Sequence, residues 1–460
     1  MDIKQYSAII DDHFPNYFFA GYSDKPDEID VLKATQAQVC LYEKVTWGIA
    51  DESSVIEQKG LRYGENPGQE AALYRPINGH LILAGITFLG TGKGLVGTLD
   101  SDCLIQFGKH PGKINLTDVD SGLAILKYFY DHPCAIIIKH NNPSGVAIGE
   151  SLCEAYTKAF NADPIAPFGG VLVMNRAVDR ETATAAAEQY YEVICAPDYE
   201  AGTLDILKSR KNLRIIKLND ISKLNEYIGE RFLDVKSLMD GSQIHQWSYV
   251  PTVGTEQKVI RGYQDFADNV EIPLNVPVRA MQEGKLIRTG DTISINRAPS
   301  KQEMKDMWFA WMVQTGVISN SVLTARDGAT VSIGVGGQDR VMMAKQCVAK
   351  AYESRRALLS LLKHRMLFDA LAVEVKLGNQ PESALKEIEE QAKDGNAGLL
   401  NAVVASDAFF PFRDGVDVLL DQGVTAIAQP GGSLRDCDAI HACNECNATM
   451  VFTNMRCFKH

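Results

Sequence analysis

From Leu61 onward the chain alternates short apolar runs suited to buried strands with stretches whose apolar positions recur at helical spacing, the pattern of an αβα layered protein. Ala135–Ile138 is a continuous apolar run that predicts a buried strand ending at Lys139. Ahead of it, Ser121–Tyr130 places Leu123, Leu126 and Tyr130 at helical spacing. Helices are predicted at Leu152–Asn161, Thr182–Tyr191 and Ala201–Ser209, with strands at Gly170–Met174, Val193–Ala196 and Leu213–Leu218. A second half has a similar layout but shows no clear sequence repeat. Its helix Ser300–Thr315 opens on Ser300 with Glu303 three residues on, which fits a capping box. Strands Ser321–Ala325 and Thr330–Val335 form a hairpin through Arg326-Asp327-Gly328, since Asp-Gly is a good turn pair. Helices Arg340–Ser354 and Ser383–Ala392 and a strand at Leu400–Ala405 follow.

The expected organisation is an irregular N-terminal extension over 1–60, a first subdomain over 61–220, a connecting segment over 221–295 and a second subdomain over 296–460. A length of 460 residues independently calls for two or more domains. The formal net charge of −12, with neither basic stripe nor basic tail, excludes a general affinity for nucleic acid or an anionic membrane. No apolar stretch reaches the roughly 18 residues needed to cross a bilayer. Ten cysteines without a regular framework read as reduced thiols, and no basic-then-apolar leader opens the chain, so a cytoplasmic protein is expected.

Three segments carry candidate chemistry. In CAIIIKHNNPSGVAIG a buried strand presents Lys139, His140, Asn141 and Asn142, then turns through Pro143-Ser144-Gly145. Ligands of open α/β sheets sit at carboxyl ends of strands, and a lysine beside a histidine suits acyl or formyl transfer. Taken alone, the same residues read more readily as a strand-ending turn of solvated polar side chains. In LRYGENPGQEAALY, Arg62 suits a phosphate and Tyr63 a ring, or the segment is a strand with a turn at Asn66-Pro67-Gly68. In SDAFFPFRDGVD, an aromatic wall beside the pair Arg413-Asp414 suits a flat heterocycle, or makes a plain core corner. Gly90–Gly94 has the wrong spacing for a P-loop, and GVGGQDR is a weak phosphate turn. Cys443-x-x-Cys446, with Cys437, His441, Cys457 and His460 near, lacks the second CxxC of a zinc site, so no metal is expected.

Together, LRYGENPGQ, IIKHNNPSGVAIG, AFNADPIAPFGG, EVICAPDYE, ISNSVL, SDAFFPFRD and the terminal TNMRCFKH run in order from Leu61 to His460. They resemble the transformylase part of the bifunctional purine-synthesis enzyme, which joins 5-aminoimidazole-4-carboxamide ribonucleotide (AICAR) formyltransferase to inosine monophosphate (IMP) cyclohydrolase. The resemblance implies an α/β fold of two cytidine-deaminase-like αβα subdomains without zinc. It also implies a homodimer with active sites between subunits, and formyl transfer from 10-formyltetrahydrofolate to the 5-amine of AICAR. By that resemblance Lys139, His140 and Asn320 are catalytic. Arg62, Tyr63, Gly169, Glu192, Arg340, Phe409, Arg456 and Phe458 hold the nucleotide, and Phe168, Pro411 and Asp414 line the folate pocket. A monovalent cation such as K+ belongs to the same set of expectations.

The chain departs from the family where GVGGQDR replaces GxGQxSR and RCFKH replaces RHFRH, and where a longer stretch, GTGKGLVGTLDSDCLIQFGKHPGKINL, reads as an insertion. Only 60 residues precede Leu61, which predicts a transformylase without cyclohydrolase activity. Rival readings are a catalytically silent nucleotide-binding paralogue, an enzyme using formate and ATP, and a zinc deaminase. The last lacks the H-x-E and P-C-x-x-C signature.

Overall fold

The computed structural model describes residues 14–21, 39–50, 56–65, 69, 71–78, 82–83, 86–87, 95–100, 102–108 and 110–460. The Asn66-Pro67-Gly68 turn and Gly90–Gly94 lie outside the described residues. One eleven-stranded sheet runs through the molecule. Its strands, in chain order, are β1 (Leu104–Gln106), β2 (Cys134–Lys139), β3 (Asn142–Ile148), β4 (Gly170–Met174), β5 (Tyr191–Ala196) and β6 (Arg214–Lys217). They continue with β7 (Val322–Arg326), β8 (Ala329–Gly334), β9 (Val403–Ser406), β10 (Ala426–Gln429) and β11 (Thr449–Phe452). The spatial order is β11-β10-β9-β7-β8-β3-β2-β4-β5-β6-β1.

This order repeats one design. Each half has an antiparallel hairpin, β2–β3 or β7–β8, whose first strand lies antiparallel to the first of three mutually parallel strands. The two halves meet at a single register pair, Ala147↔Ala329. The alternation of side chains along a strand decides which layer each residue joins. Ile136 and Ile138 face helices α1 (Lys113–Leu126) and α5 (Lys301–Gln314). Ala135 and Ile137 face α2 (Leu152–Ala162), α3 (Arg180–Ala187) and α4 (Thr203–Lys208). In the second half Val404, Ile427 and Met450 face α6 (Arg340–His364), α7 (Asp414–Leu420) and α8 (Asp436–Glu445). Helices on both faces explain why the strands read as unbroken apolar runs.

Several expectations shift. The capping box is present: Ser300 Oγ accepts from the Glu303 amide at 3.2 Å and the Glu303 carboxylate accepts from the Ser300 amide at 2.8 Å. The helix expected from Ser121 begins at Lys113, because Gly112 starts it without a side-chain cap and instead donates its N–H to Asn115 Oδ1 at 3.1 Å. The described part of the supposed insertion therefore contains β1 and the first turn of α1. The front of the chain is also more regular than its polarity pattern suggests. Tyr17–Gly21, Val39–Lys44 and Tyr74–Asn78 form a three-stranded antiparallel sheet, and Trp47 is fully buried with its indole N–H on the Leu99 carbonyl at 3.2 Å. Within 221–295, Leu233–Ser237 pairs with Gln243–Trp247 and Val276–Gln282 with Lys285–Ile293.

Candidate active site

The residues singled out above gather along one edge of the sheet. Because β2 is antiparallel to β4, and β3 to β8, this edge collects the carboxyl end of β2, the amino ends of β4–β6 and the carboxyl ends of β8–β11. The carboxyl-end rule thus describes Lys139 but not Gly169 or Glu192, which stand where the parallel strands of the first half begin.

The chain reverses at His140-Asn141, not at Pro143-Ser144-Gly145. Lys139 pairs with Asn142 across a two-residue loop whose φ angles are 56° and 61°, and Pro143–Gly145 already lie in β3 around a bulge. Positive φ at both positions matches a type I′ turn, whose twist suits a hairpin. Three partners hold it. Asp118 of α1, only 4% exposed, accepts the Asn141 N–H at 2.7 Å and a further backbone hydrogen bond from His140. Burial pushes its carboxyl pKa up, against those hydrogen bonds. Asn142 Nδ2 donates to the His140 carbonyl at 3.1 Å. Lys459 Nζ donates to the carbonyls of Asn141 at 3.2 Å and Gly316 at 3.0 Å, and its own burial lowers its pKa. The His140 side chain is exposed, and Lys139 Nζ donates to the Phe168 carbonyl at 2.7 Å.

Asn320 reaches the same edge from the other half. Asn142 Oδ1 accepts the Ile318 N–H at 3.0 Å, which joins the two loops directly. Asn320 Nδ2 donates to the Gly337 carbonyl at 3.0 Å, and its Oδ1 accepts from Arg340 Nη2 at 2.9 Å. Arg340 is turned inward. It is 6% exposed, donates to the Ser321 carbonyl at 2.8 Å and pairs with the fully buried Asp407 carboxylate. Asp407 also accepts from the Ser321 N–H and hydroxyl, each at 3.2 Å.

Beside Lys139, Glu192 accepts from Asn115 Nδ2 at 2.9 Å and from the buried Arg214 at 3.5 Å. Arg62 lies with its guanidinium 5.2 Å from the Tyr63 ring centre, and both residues act electrostatically on Arg214. Burial lowers His110 to about 4, and Arg214, Lys59 and Arg62 press it the same way. Gly169 has φ 74° and faces Glu192, while exposed Phe168 packs on Tyr190 at 5.0 Å. The C-terminal residues thread between the halves. The Cys457 N–H donates to the Asp407 carbonyl at 3.0 Å, the Ser319 N–H to the Lys459 carbonyl at 2.9 Å, and Arg456 lies over Phe458 at 4.8 Å.

The aromatic segment divides. Phe410 is fully buried and Phe409 is 41% exposed. Pro411 is half-buried, and exposed Asp414 accepts the Gly415 N–H at the start of α7. Arg413 pairs with Asp417 and Glu445, not with Asp414, so the adjacent charges are not a pair. No hydrogen bond among the described residues joins Phe409, Pro411 or Asp414 to Lys139 or Asn320. Sequence reading missed Asn115, Asp118, Arg214 and Asp407 and noticed Lys459 only as a departure. The walls of three hollows, of about 360, 450 and 510 Å³, include none of Lys139, His140 and Asn320 and lie around Asp327 at the opposite edge. Among the described residues no three His, Cys, Asp or Glu side chains are grouped to hold a metal ion. Cys443 is buried in the core while Cys446 is exposed, so the CxxC is split between two environments.

A layered mixed α/β protein with a lysine, a histidine and an oriented amide on one sheet edge defines an enzyme-type site. A family model described as AICARFT/IMPCHase bienzyme matches residues 30–260 and 273–350, and the chain belongs to that family. The bifunctional purine biosynthesis protein PurH of Caldicellulosiruptor saccharolyticus is 32% identical over 400 residues, 87% of this chain and 59% of that protein. PurH of Xanthomonas campestris pv. campestris (strain 8004) is 32% identical over 459 residues, 100% of this chain and 65% of that protein. The chain therefore spans less than two thirds of the length of these relatives. No helix among the described residues is long and apolar enough to cross a membrane.

Proposed function

We propose that this chain transfers the formyl group of 10-formyltetrahydrofolate to the 5-amine of AICAR in purine synthesis. The observation that carries the reading is the Asn142–Ile318 hydrogen bond, which holds the Lys139-His140 turn and the Asn320 loop together in a chain of this family. The 5-amine is a weak nucleophile, because its lone pair is drawn into the ring and carboxamide. His140 accepts its proton as the new C–N bond forms, work that suits an imidazole near neutral pH. The attack makes a tetrahedral oxyanion, and Lys139 and the Asn320 amide are the donors that stabilise it. Lys139 then supplies the proton with which N10 of the folate leaves as the old C–N bond breaks.

Arg340 in this scheme orients Asn320 from behind instead of gripping the nucleotide. Arg62, Tyr63, Gly169, Glu192, Phe409, Arg456 and Phe458 shape the AICAR side, and Phe168, Pro411 and Asp414 the folate side. The repeated strand order supports two cytidine-deaminase-like subdomains, 61–220 and 296–460, joined by 221–295. The open setting of exposed His140 and Phe168 supports a homodimer in which a second copy completes each site.

Tetrahydrofolate release with both substrates tests the reading in wild type and Lys139→Met. Turnover in wild type and its near-complete loss in the variant is the expected result. Near-normal single-turnover transfer by His140→Ala would remove the histidine from the scheme. For these 460 residues the product is expected to stop at formyl-AICAR, so IMP in the same assay would refute formyl transfer alone.

A further inference from the structure

We infer that the opposite edge of the sheet carries a second binding site, which takes a phosphorylated sugar-type small molecule at the joint between the two halves. The hollow of about 360 Å³ there is lined by Lys158 of α2, Arg326 and Asp327 of the β7–β8 hairpin, Ser354 and Arg355 of α6, and Asp394. That volume lies at the small end of the roughly 300–1,000 Å³ typical of ligand pockets. Three cations thus face two carboxylates, and most are already engaged. Lys158 pairs with Glu154 at 2.7 Å, and Arg326 donates to the Leu400 carbonyl at 2.8 Å and lies 3.5 Å from Asp327.

Arg355 is different. Its Nε is buried and its guanidinium has no hydrogen-bond or ion-pair partner among the described residues. Ser354, next to it, is 3% exposed, and its hydroxyl also has no partner. A helical serine usually turns its hydroxyl to a carbonyl one turn back, and leaving it unpaired and buried costs about 1–3 kcal/mol. Both side chains are donors of the kind a phosphate takes, since a guanidinium fork matches two phosphate oxygens and a hydroxyl donates to a third. Asp394 lines the same hollow, and its carboxylate has no hydrogen-bond or ion-pair partner among the described residues. A carboxylate repels bare phosphate but accepts hydrogen bonds from sugar hydroxyls, which favours a sugar phosphate over the free anion. Lys158 belongs to the first half and the other five residues to the second, so an occupant bridges the halves beside their one shared register pair, Ala147↔Ala329. Ligand bound only by the folded state then stabilises that joint.

Glucose 6-phosphate and inorganic phosphate are the probes, applied to the full chain with amide hydrogen exchange as readout. Glucose 6-phosphate is expected to slow exchange in 351–358 and 394–400, and inorganic phosphate to need about tenfold more for the same effect. Arg355→Gln should weaken the sugar phosphate about tenfold, and Asp394→Asn should narrow the gap between the two probes. If Arg355→Gln loses thermal stability, Ser354→Ala removes only an unpaired hydroxyl and must weaken binding in the same direction. The site is refuted by absence of protection at millimolar probe, by protection confined to 139–142, or by protection that Arg355→Gln and Ser354→Ala leave unchanged.

Discussion

Two hairpin turns stand at opposite edges of one sheet and are made from different residues. Asp327-Gly328 has φ 52° and 68°, the conformation for which Asp-Gly is a favoured pair. His140-Asn141 adopts φ 56° and 61°, and of these two only asparagine enters that region readily. Holding a non-glycine residue there costs of order 1–3 kcal/mol and persists only when the surroundings fix it. Each turn is clamped by a buried carboxylate, Asp118 on the Asn141 N–H and Asp306 on the Gly328 N–H, but the near turn adds Asn142 and Lys459, whereas the far one has glycine at its second position. A conformational cost is accepted where a side chain has to be presented, and avoided where the chain merely reverses.

If that contrast is right, changes to the residues presented by the near turn should alter formyl transfer, and changes at the far turn should leave it intact. The largest effect is expected for Lys139→Met and His140→Ala, with single-turnover transfer down about 10²–10⁴-fold and the thermal midpoint unchanged. Arg340→Met strands the Asp407 carboxylate, which has no exposed surface, and should lower unfolding free energy by about 3–5 kcal/mol in denaturant titrations.

Asp436, also at the near edge, accepts the Gly432 N–H at 2.8 Å, and burial raises its pKa from 3.8 to about 6. The folded value lies above the unfolded one, so its contribution is fully present below pH 3.8 and is lost as pH rises through about 6. Asp436→Asn should flatten that fall, by at most about 3 kcal/mol between the two limits, in unfolding curves taken across the window. At the far edge Gly328→Ala puts a methyl 2.6 Å from Ile148 at φ 68°. It should destabilise by about 1–3 kcal/mol and leave kcat where it was, and a fall in kcat would blur the distinction between the edges.

Much of the layered architecture was legible because buried strands must be apolar on both faces. Gly170–Met174 coincides with its strand, and the Ser300–Glu303 box marks a real helix start. Helix α1 was clipped because Gly112 offers no side-chain cap, and with its first turns went Asn115 and Asp118, two partners of the site. The hairpins of 221–295 escaped because their strands are largely exposed and show little alternation. Lys139 and His140 stood out by adjacency on a strand end. The inward turn of Arg340 could not be read, because its carboxylate partner lies 67 positions further on and nothing local marks the match.

The tie between Asn142 and Ile318 also bears on how the protein is made. It spans 176 positions, and the Lys459–Asn141 contact spans 318. Contacts between such distant residues form late, after the entropy of closing large loops has been met. A refolding chain should therefore recover its helical signal before its catalysis, and the interval between the two would time the docking of one half on the other.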